Sequence, residues 1–332
     1  MRALASERSK RKLSAQEVAD RAGFGGESFV RRLEAAGANP TLRSIQRYAK
    51  AVGVELTVSV GSTKVLTFFN HAGGVGKTSC VRDTGYVLAD MGFRVLLIDA
   101  DPQANLTSWL GVRRKIHERD TIFPAVIGEA ETLALPSPIR VHNLDLIPSN
   151  LSVAKIDLML PGVIMGQTRL RNAVRQLHGY DFVLIDPPPS LGQLSSLAVI
   201  AADRVVVPVP TNSKGLEGIE TVISMVRTFR PAAPDLAISF FILTQVDART
   251  KHDREIQATM RSSLPEIAPV SSPLYSRPAP YKDAALEGRP LPLFAPQSKS
   301  DEEIRTVTSE LLEALGVAIK VGTPRVAAGV EG

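Results

Sequence analysis

Residues 70–79 read NHAGGVGKTS, with Gly73, Gly74 and Gly76 set around Val75 and followed by Lys77, Thr78 and Ser79. Glycines tolerate positive φ, so their backbone N–H groups can converge on an anion. A helix beginning near Lys77 adds its partial positive N-terminus, the lysine ammonium reaches the outer phosphates, and the Thr78 hydroxyl suits Mg²⁺. A tight turn alone would account for the glycines but not for Lys-Thr at the start of a helix. Gly73, Gly74, Val75, Gly76, Lys77, Thr78 and Ser79 are therefore the candidate nucleotide-phosphate set. Two further stretches, VLLIDADPQ and FVLIDPPPS, each end a hydrophobic run in aspartate. Asp99 and Asp186 are the candidate metal-side carboxylates with Thr78, Asp186 through the water ligands of the ion. Asp101, two residues beyond Asp99, can face an attacking water. Any one of these aspartates could be a strand-end cap; three behind a phosphate loop point to phosphoryl chemistry.

Such residues need a sheet whose strand ends gather them. The runs KVLTFFN, FRVLLIDA, NLDLIPS, DFVLIDP, DRVVVPV and AISFFILTQV are apolar and β-branched. Helix-length amphipathic pieces such as KTSCVRDTGYVLADMG, TRLRNAVRQLHG and GLEGIETVISMVRTF lie between them. This alternation predicts an α/β fold, a mainly parallel twisted sheet with helices on both faces, with ligands at the carboxyl ends of the strands. The first sixty residues differ. SAQEVADRAG, GESFVRRLEAAG and TLRSIQRYAKAVGV carry apolar residues at helical spacing, punctuated by Gly23, Gly37 and Pro40, and predict a small all-α domain. The expected division is 1–60 helical, 61–320 α/β, and 321–332 a loose tail.

From about Lys64 to Leu315 the chain resembles the ParA group of deviant-Walker P-loop ATPases, on GGVGKTS, LLIDADPQANLT, YDFVLIDPPPSLG, VVVPVPTNSKGLEGIE, ILTQVDART and EGRPLPLFAPQSKSDEEI. The resemblance implies ATP and Mg²⁺ as cofactors, with Lys77 and Asp101 catalytic and Asp101 positioning the hydrolytic water. It also implies DNA-partition activity over the nucleoid in the cytoplasm, non-specific DNA binding in the ATP state, and stimulation by a ParB-like partner. Family members usually carry lysine where this chain has Ala72, and that lysine reaches phosphates bound by the other subunit of a sandwich dimer. Alanine has neither charge nor donor, so ATP-dependent dimerisation is expected to be weak or hydrolysis slow unless another cation substitutes. DARTKHDREIQ and YSRPAPYKDAALEGR match regions that carry DNA-binding cations in the group, which makes Arg249, Lys251, Arg254, Arg277, Lys282 and Arg289 the analogous residues.

The N-terminal stretch resembles the helix-turn-helix of the Cro/CI repressor-like group, with Ser28, Arg31 and Arg32 as candidate DNA contacts on its second helix. It departs from that group in a turn lengthened by Gly25-Gly26 and in Glu27, a carboxylate near the phosphates. Operator reading and simple dimerisation are both open to it. The formal net charge of +5 is mild and decides nothing alone. The 332-residue chain has no apolar run of membrane-spanning length, and its single cysteine, Cys80, excludes an internal disulfide or a cysteine-built metal site. A MinD-like membrane helix and a nitrogenase-type cluster therefore fit poorly. Two other functions stay open: a transcriptional regulator that senses nucleotide, and a positioning ATPase for a cargo other than DNA.

Overall fold

The computed structural model describes residues 2–35, 42–54, 62–128, 134–247 and 249–317. The chain divides into two compact units, broken between residues 59 and 60. The expected tail, 321–332, and the region around Gly37 and Pro40 lie outside the described residues.

The larger unit is built on seven strands: β1 (Lys64–Phe68), β2 (Val95–Asp99), β3 (Ile139–Val141), β4 (Leu144–Ile147), β5 (Phe182–Asp186), β6 (Arg204–Pro210) and β7 (Ala237–Thr244). Their order across the sheet is β3-β4-β2-β5-β1-β6-β7. Every pairing is parallel except β3 with β4. The six expected strands are all present. β3 was not anticipated, because a three-residue half-exposed strand has no apolar run to betray it. Its signal was the turn: His142 and Asn143 both adopt positive φ, 47° and 63°, as a two-residue hairpin requires.

Side chains alternate between two buried faces, as near-continuous apolar strands demand. Val65, Leu96, Ile98, Val183 and Ile185 pack with Leu170, Val174, Leu194 and Leu197 from the helices Gly166–Arg175 and Gln193–Ala201. Leu97 and Leu184 point the opposite way, against the helix Lys77–Asp90. Gly85 lets that helix sit close, since a Cβ there would lie 2.7 Å from Leu97 Cδ2. The outer edge of β7 is covered by the segment 269–276. Phe241 N–H donates to Pro269 O at 2.9 Å, Leu274 N–H to Leu243 O at 2.8 Å, and Ser276 N–H to Val246 O at 3.0 Å.

The N-terminal unit contains helices Arg2–Lys10, Ala15–Ala22, Glu27–Glu34 and Leu42–Ala51. Ser14 and Glu17 form a reciprocal cap: Glu17 N–H donates to Ser14 Oγ at 3.1 Å, and Ser14 N–H donates to the Glu17 carboxylate at 2.7 Å. Gly23, at φ 62°, ends the second helix. Val18, Ala19, Val30, Leu33, Tyr48 and Val52 form the core, which realises the apolar spacing of the sequence. Across it, Arg8 donates two hydrogen bonds to Glu34, 2.8 and 3.0 Å, and the Tyr48 hydroxyl donates to the same carboxylate.

Burial alone would raise the Glu34 pKa, but the Arg8 and Tyr48 hydrogen bonds outweigh it and hold the group below its usual 4.5. A carboxylate depressed on folding contributes stability that is present above the unfolded pKa and lost as pH falls through the folded one. Glu34→Gln should therefore weaken the unit at neutral pH and flatten its loss of stability below about pH 4.5. Hydrogen exchange of the Tyr48 and Val52 amides from neutral to acid pH measures this; an unaltered acid limb would refute the assignment.

Candidate nucleotide-phosphate site

Residues 70–76 leave β1 and turn back into the helix Lys77–Asp90. Asn70 anchors the exit: its Nδ2 donates to Pro208 O at 2.9 Å, and its Oδ1 accepts from the Ala72 N–H at 3.0 Å. Gly74 and Gly76 adopt φ of 73° and 91°, conformations costly for any side-chain-bearing residue. Thr244 at the end of β7 donates to Val75 O at 2.9 Å, and Gln245 donates to Gly74 O, so the loop is fixed from the neighbouring strand. Gly73 and Gly74 are exposed at the loop's crest, Val75 is buried beneath it, and Thr78 and Ser79 are half-buried on the first helical turn.

Lys77 is 6% exposed, and its Nζ donates to Ala72 O at 2.8 Å. Burial lowers the ammonium's pKa, while Asp186 and Asp101 oppose that shift. The ammonium thus rests on the loop's own carbonyl. Ala72 itself is half-buried and offers only this carbonyl and a methyl group.

The three aspartates are gathered at the carboxyl ends of β2 and β5, as expected, but their environments differ. Asp99 and Asp186 face each other in register across the β2–β5 pair. Asp99 is fully engaged: it accepts from Thr107 N–H at 2.9 Å, Thr107 Oγ1 at 2.7 Å and Asp101 N–H at 3.2 Å. Burial nevertheless raises its pKa to about 7, against the pull of those donors. Both oxygens of Asp186 are buried without a hydrogen-bond partner. Burial, then repulsion from Asp99, raise its pKa well above the normal value, partly offset by Thr78 and Lys77. The Thr78 hydroxyl favours the ionised form without reaching the carboxylate in hydrogen-bonding geometry. Asp101 is 6% exposed and is steered by the Gln103 N–H, 2.9 Å from its Oδ1.

This donor set fits a magnesium ion. Two orphaned buried carboxylate oxygens beside a threonine hydroxyl are hard oxygen donors in want of a cation. Among the described residues no three His, Cys, Asp or Glu converge to cage a metal. The remaining ligands of such an ion would be phosphate and water, the usual manner of holding Mg²⁺. Asp99, expected on the metal side as well, carries three hydrogen bonds already, two on Oδ2 and one on Oδ1. It holds Thr107 and the Asp101 turn in place.

A pocket of about 250 Å³ opens beside the loop, lined by Gly76, Ser79, Gln245, Tyr275, Arg277 and Tyr281 among others. Ser79, on the first turn of the helix, is among the residues that line this pocket. Sequence reasoning missed Asn70, Thr107, Thr244, Gln245 and the two tyrosines. The strand ends TFFN and ILTQ were a usable signal for three of them; nothing local marks the tyrosines. Arg277, expected among the DNA-contact cations, lines this pocket: its Nη1 donates to Glu303 at 2.7 Å and it stacks over Tyr275. Arg249, Lys251, Arg254, Lys282 and Arg289 are exposed. Arg249 is paired with Asp247 at 2.7 Å, Lys251 lies 3.6 Å from Glu255, and Arg289 3.7 Å from Glu287. In the other unit Ser28, Arg31 and Arg32 are exposed on the helix Glu27–Glu34, with Arg31 bound to Glu27. Cys80 is buried and its thiol pushed far up by that burial, so it is not a reactive group.

The AAA domain family matches residues 63–238, beginning at β1 and excluding the N-terminal helices. The probable plasmid-partitioning protein ParA of Thermus thermophilus is 42% identical over 259 residues, covering 75% of this chain and 78% of that protein. The chain belongs to the ParA family of P-loop partition ATPases. The sporulation initiation inhibitor Soj of Bacillus subtilis, 32% identical over 250 residues, spans 75% of this chain and 98% of its own length. Among solved structures, cobyrinic acid a,c-diamide synthase of Mycobacterium smegmatis, holding ADP and magnesium, superposes with a TM-score of 0.63. It is 27% identical and covers 79% of this chain and all of its own. A ParA-family ATPase accounts for the phosphate loop, the strand-end carboxylates and the parallel sheet.

An unpartnered buried carboxylate is a stability cost kept for a ligand. Asp186→Asn should accordingly stabilise the protein by about 1–3 kcal/mol in chelator, where no cation can compensate the charge. Denaturant unfolding in EDTA measures it, and a destabilised variant would mean the carboxylate has a partner.

Proposed function

We propose that this chain is an ATP-driven DNA-partition protein, with an N-terminal DNA-binding domain over residues 1–60 and the ATPase over 61–320. The observation that carries the reading is the juxtaposition of Lys77, Thr78, Asp186 and Asp101 at one sheet edge in a chain 42% identical to a plasmid-partitioning protein. Gly73 to Gly76 present backbone N–H groups to the phosphates. The Lys77 ammonium leaves Ala72 O and pairs with the outer phosphates of ATP. Thr78 and Asp186 would hold Mg²⁺ with its waters, an ion that would supply charge neutralisation at the phosphates. Asp101 orients the attacking water, with its own rotamer fixed by the Gln103 amide. Arg249, Lys251, Arg254 and Lys282 supply sequence-independent DNA contact in the ATP state, and a ParB-like protein on the cargo stimulates turnover.

Lys77→Ala should abolish ATP binding with the fold intact, as calorimetric titration would show. Asp101→Ala should bind ATP but lose about 10²-fold or more in turnover, because water positioning is lost while the phosphate contacts remain. Native turnover in Asp101→Ala would remove it from the catalytic role.

Ala72 bears on the switch between monomer and dimer. Its carbonyl is already the resting partner of Lys77, and its side chain offers no donor to a second subunit. Ala72→Lys should tighten ATP-dependent dimerisation, raise turnover, or do both; one charge-assisted phosphate contact is worth about 1.5–3 kcal/mol. Sedimentation and phosphate release with ATP and Mg²⁺ decide it. If neither moves, the chain cycles without a sandwich dimer. A second reading, a nucleotide-responsive transcriptional regulator, is favoured by the exposed Ser28, Arg31 and Arg32 on the third helix of the N-terminal unit. Tight operator binding with negligible ATP turnover would select it.

A further inference from the structure

The chain's positive charge is not spread evenly. Of 39 Lys and Arg, 11 fall in the first 59 residues, against 6 of the 34 Asp and Glu; the remaining 273 residues carry 28 of each. The whole formal charge of +5 therefore resides in the N-terminal segment, and the ATPase body is neutral.

Within that unit most carboxylates are already occupied. Glu7 holds Lys10 at 2.7 Å, Glu17 closes the cap on Ser14, Asp20 accepts from Gln16 at 2.7 Å, Glu27 binds Arg31, and Glu34 binds Arg8 and Tyr48. Arg11, Arg21, Arg47 and Lys50 converge on an open cavity of about 620 Å³ whose floor includes Leu13 and Ala22. Among the described residues no acidic and no aromatic side chain lines it. Arg11 has only a long contact to Glu7, 3.9 Å.

Two helices end here, and cations are common near helix C-termini, where they meet free carbonyls. Those carbonyls are already satisfied. Arg47 donates to Ala22 O at 2.8 Å and to Gly23 O, and the amides of Val52, Gly53 and Val54 close the last turn of the other helix. Arg21 and Lys50 remain exposed, Arg21 feeling only the Glu17 carboxylate one turn back on its own helix. None of the residues of the helix Glu27–Glu34 lines the cavity.

We propose that this cavity is a second nucleic-acid contact, a phosphate site that seats the backbone of duplex DNA, separate from the face bearing Ser28, Arg31 and Arg32. The chemistry is phosphodiester neutralisation by guanidinium and ammonium groups. With no aromatic and no carboxylate among the described residues of its walls, the site positions DNA without reading its sequence. The proposal does not depend on ATP turnover, so it stands or falls apart from the partition reading.

The experiment uses the full chain without nucleotide and random-sequence duplex DNA across a salt series. Arg21→Gln with Lys50→Gln alters two side chains that make no structural hydrogen bond, so helicity should be retained. Each lost phosphate contact should make the slope of log K against log salt shallower by about 0.9, hence by about two for the pair. Adding Arg31→Gln and Arg32→Gln should lower affinity further. A slope equal to that of the unaltered protein overturns the site. No additional loss in the quadruple variant would merge the cavity with the helix face and overturn its separateness. Displacement of DNA by stoichiometric tripolyphosphate would mark a small-anion pocket and likewise overturn it.

Discussion

Everything at the nucleotide edge depends on placing two carboxylates side by side where water does not reach. Asp99 and Asp186 occupy matched positions on adjacent parallel strands, and like charges so placed resist ionisation together. The structure resolves the conflict asymmetrically. Asp99 receives three hydrogen bonds from the following turn, whereas Asp186 receives none and faces Lys77 and Thr78. One carboxylate is thereby tied into the turn that follows β2, while its twin keeps both oxygens without a protein hydrogen bond. Lys77, poised on Ala72 O, completes a site that is electrostatically unfinished without a polyanion and its metal.

Much of this could be read from the residues. Periodicity and strand-end aspartates located six strands, both covering layers of helix and the phosphate loop, because burial on two faces imposes near-continuous apolar runs and the loop needs glycine at fixed places. The failures have physical reasons as well. β3 is too short and too wet to carry a pattern. The different fates of Asp99 and Asp186 hinge on Thr107, a residue eight positions away whose bond to Asp99 no spacing rule announces. Arg277 finds its partner Glu303 26 residues on, in the helix Lys299–Ala314, a pairing that no local pattern announces. Local sequence shows which groups exist; which of them find each other across the fold is a property of the packed chain.

The division of charge between the two units follows the same logic. A neutral body can bind ATP and release product without a strong field from its own surface, and its exposed arginines are largely answered by nearby acids such as Asp247 and Glu287. The excess is concentrated on a small four-helix unit whose core is tied by Arg8, Glu34 and Tyr48. The excess of positive charge and the phosphate loop thus lie in different parts of the polypeptide.

The two margins of the sheet set a limit on how copies of this chain can assemble. β7 has its outer edge closed by the segment 269–276, and the opposite margin is the three-residue β3, whose Arg140 is held by Asp145. Among the described residues neither presents a long ladder of free amides and carbonyls, the template on which strand addition builds open fibrils and swapped sheets. Self-association is left to side-chain surfaces, where a bound ligand can make or unmake the contact reversibly.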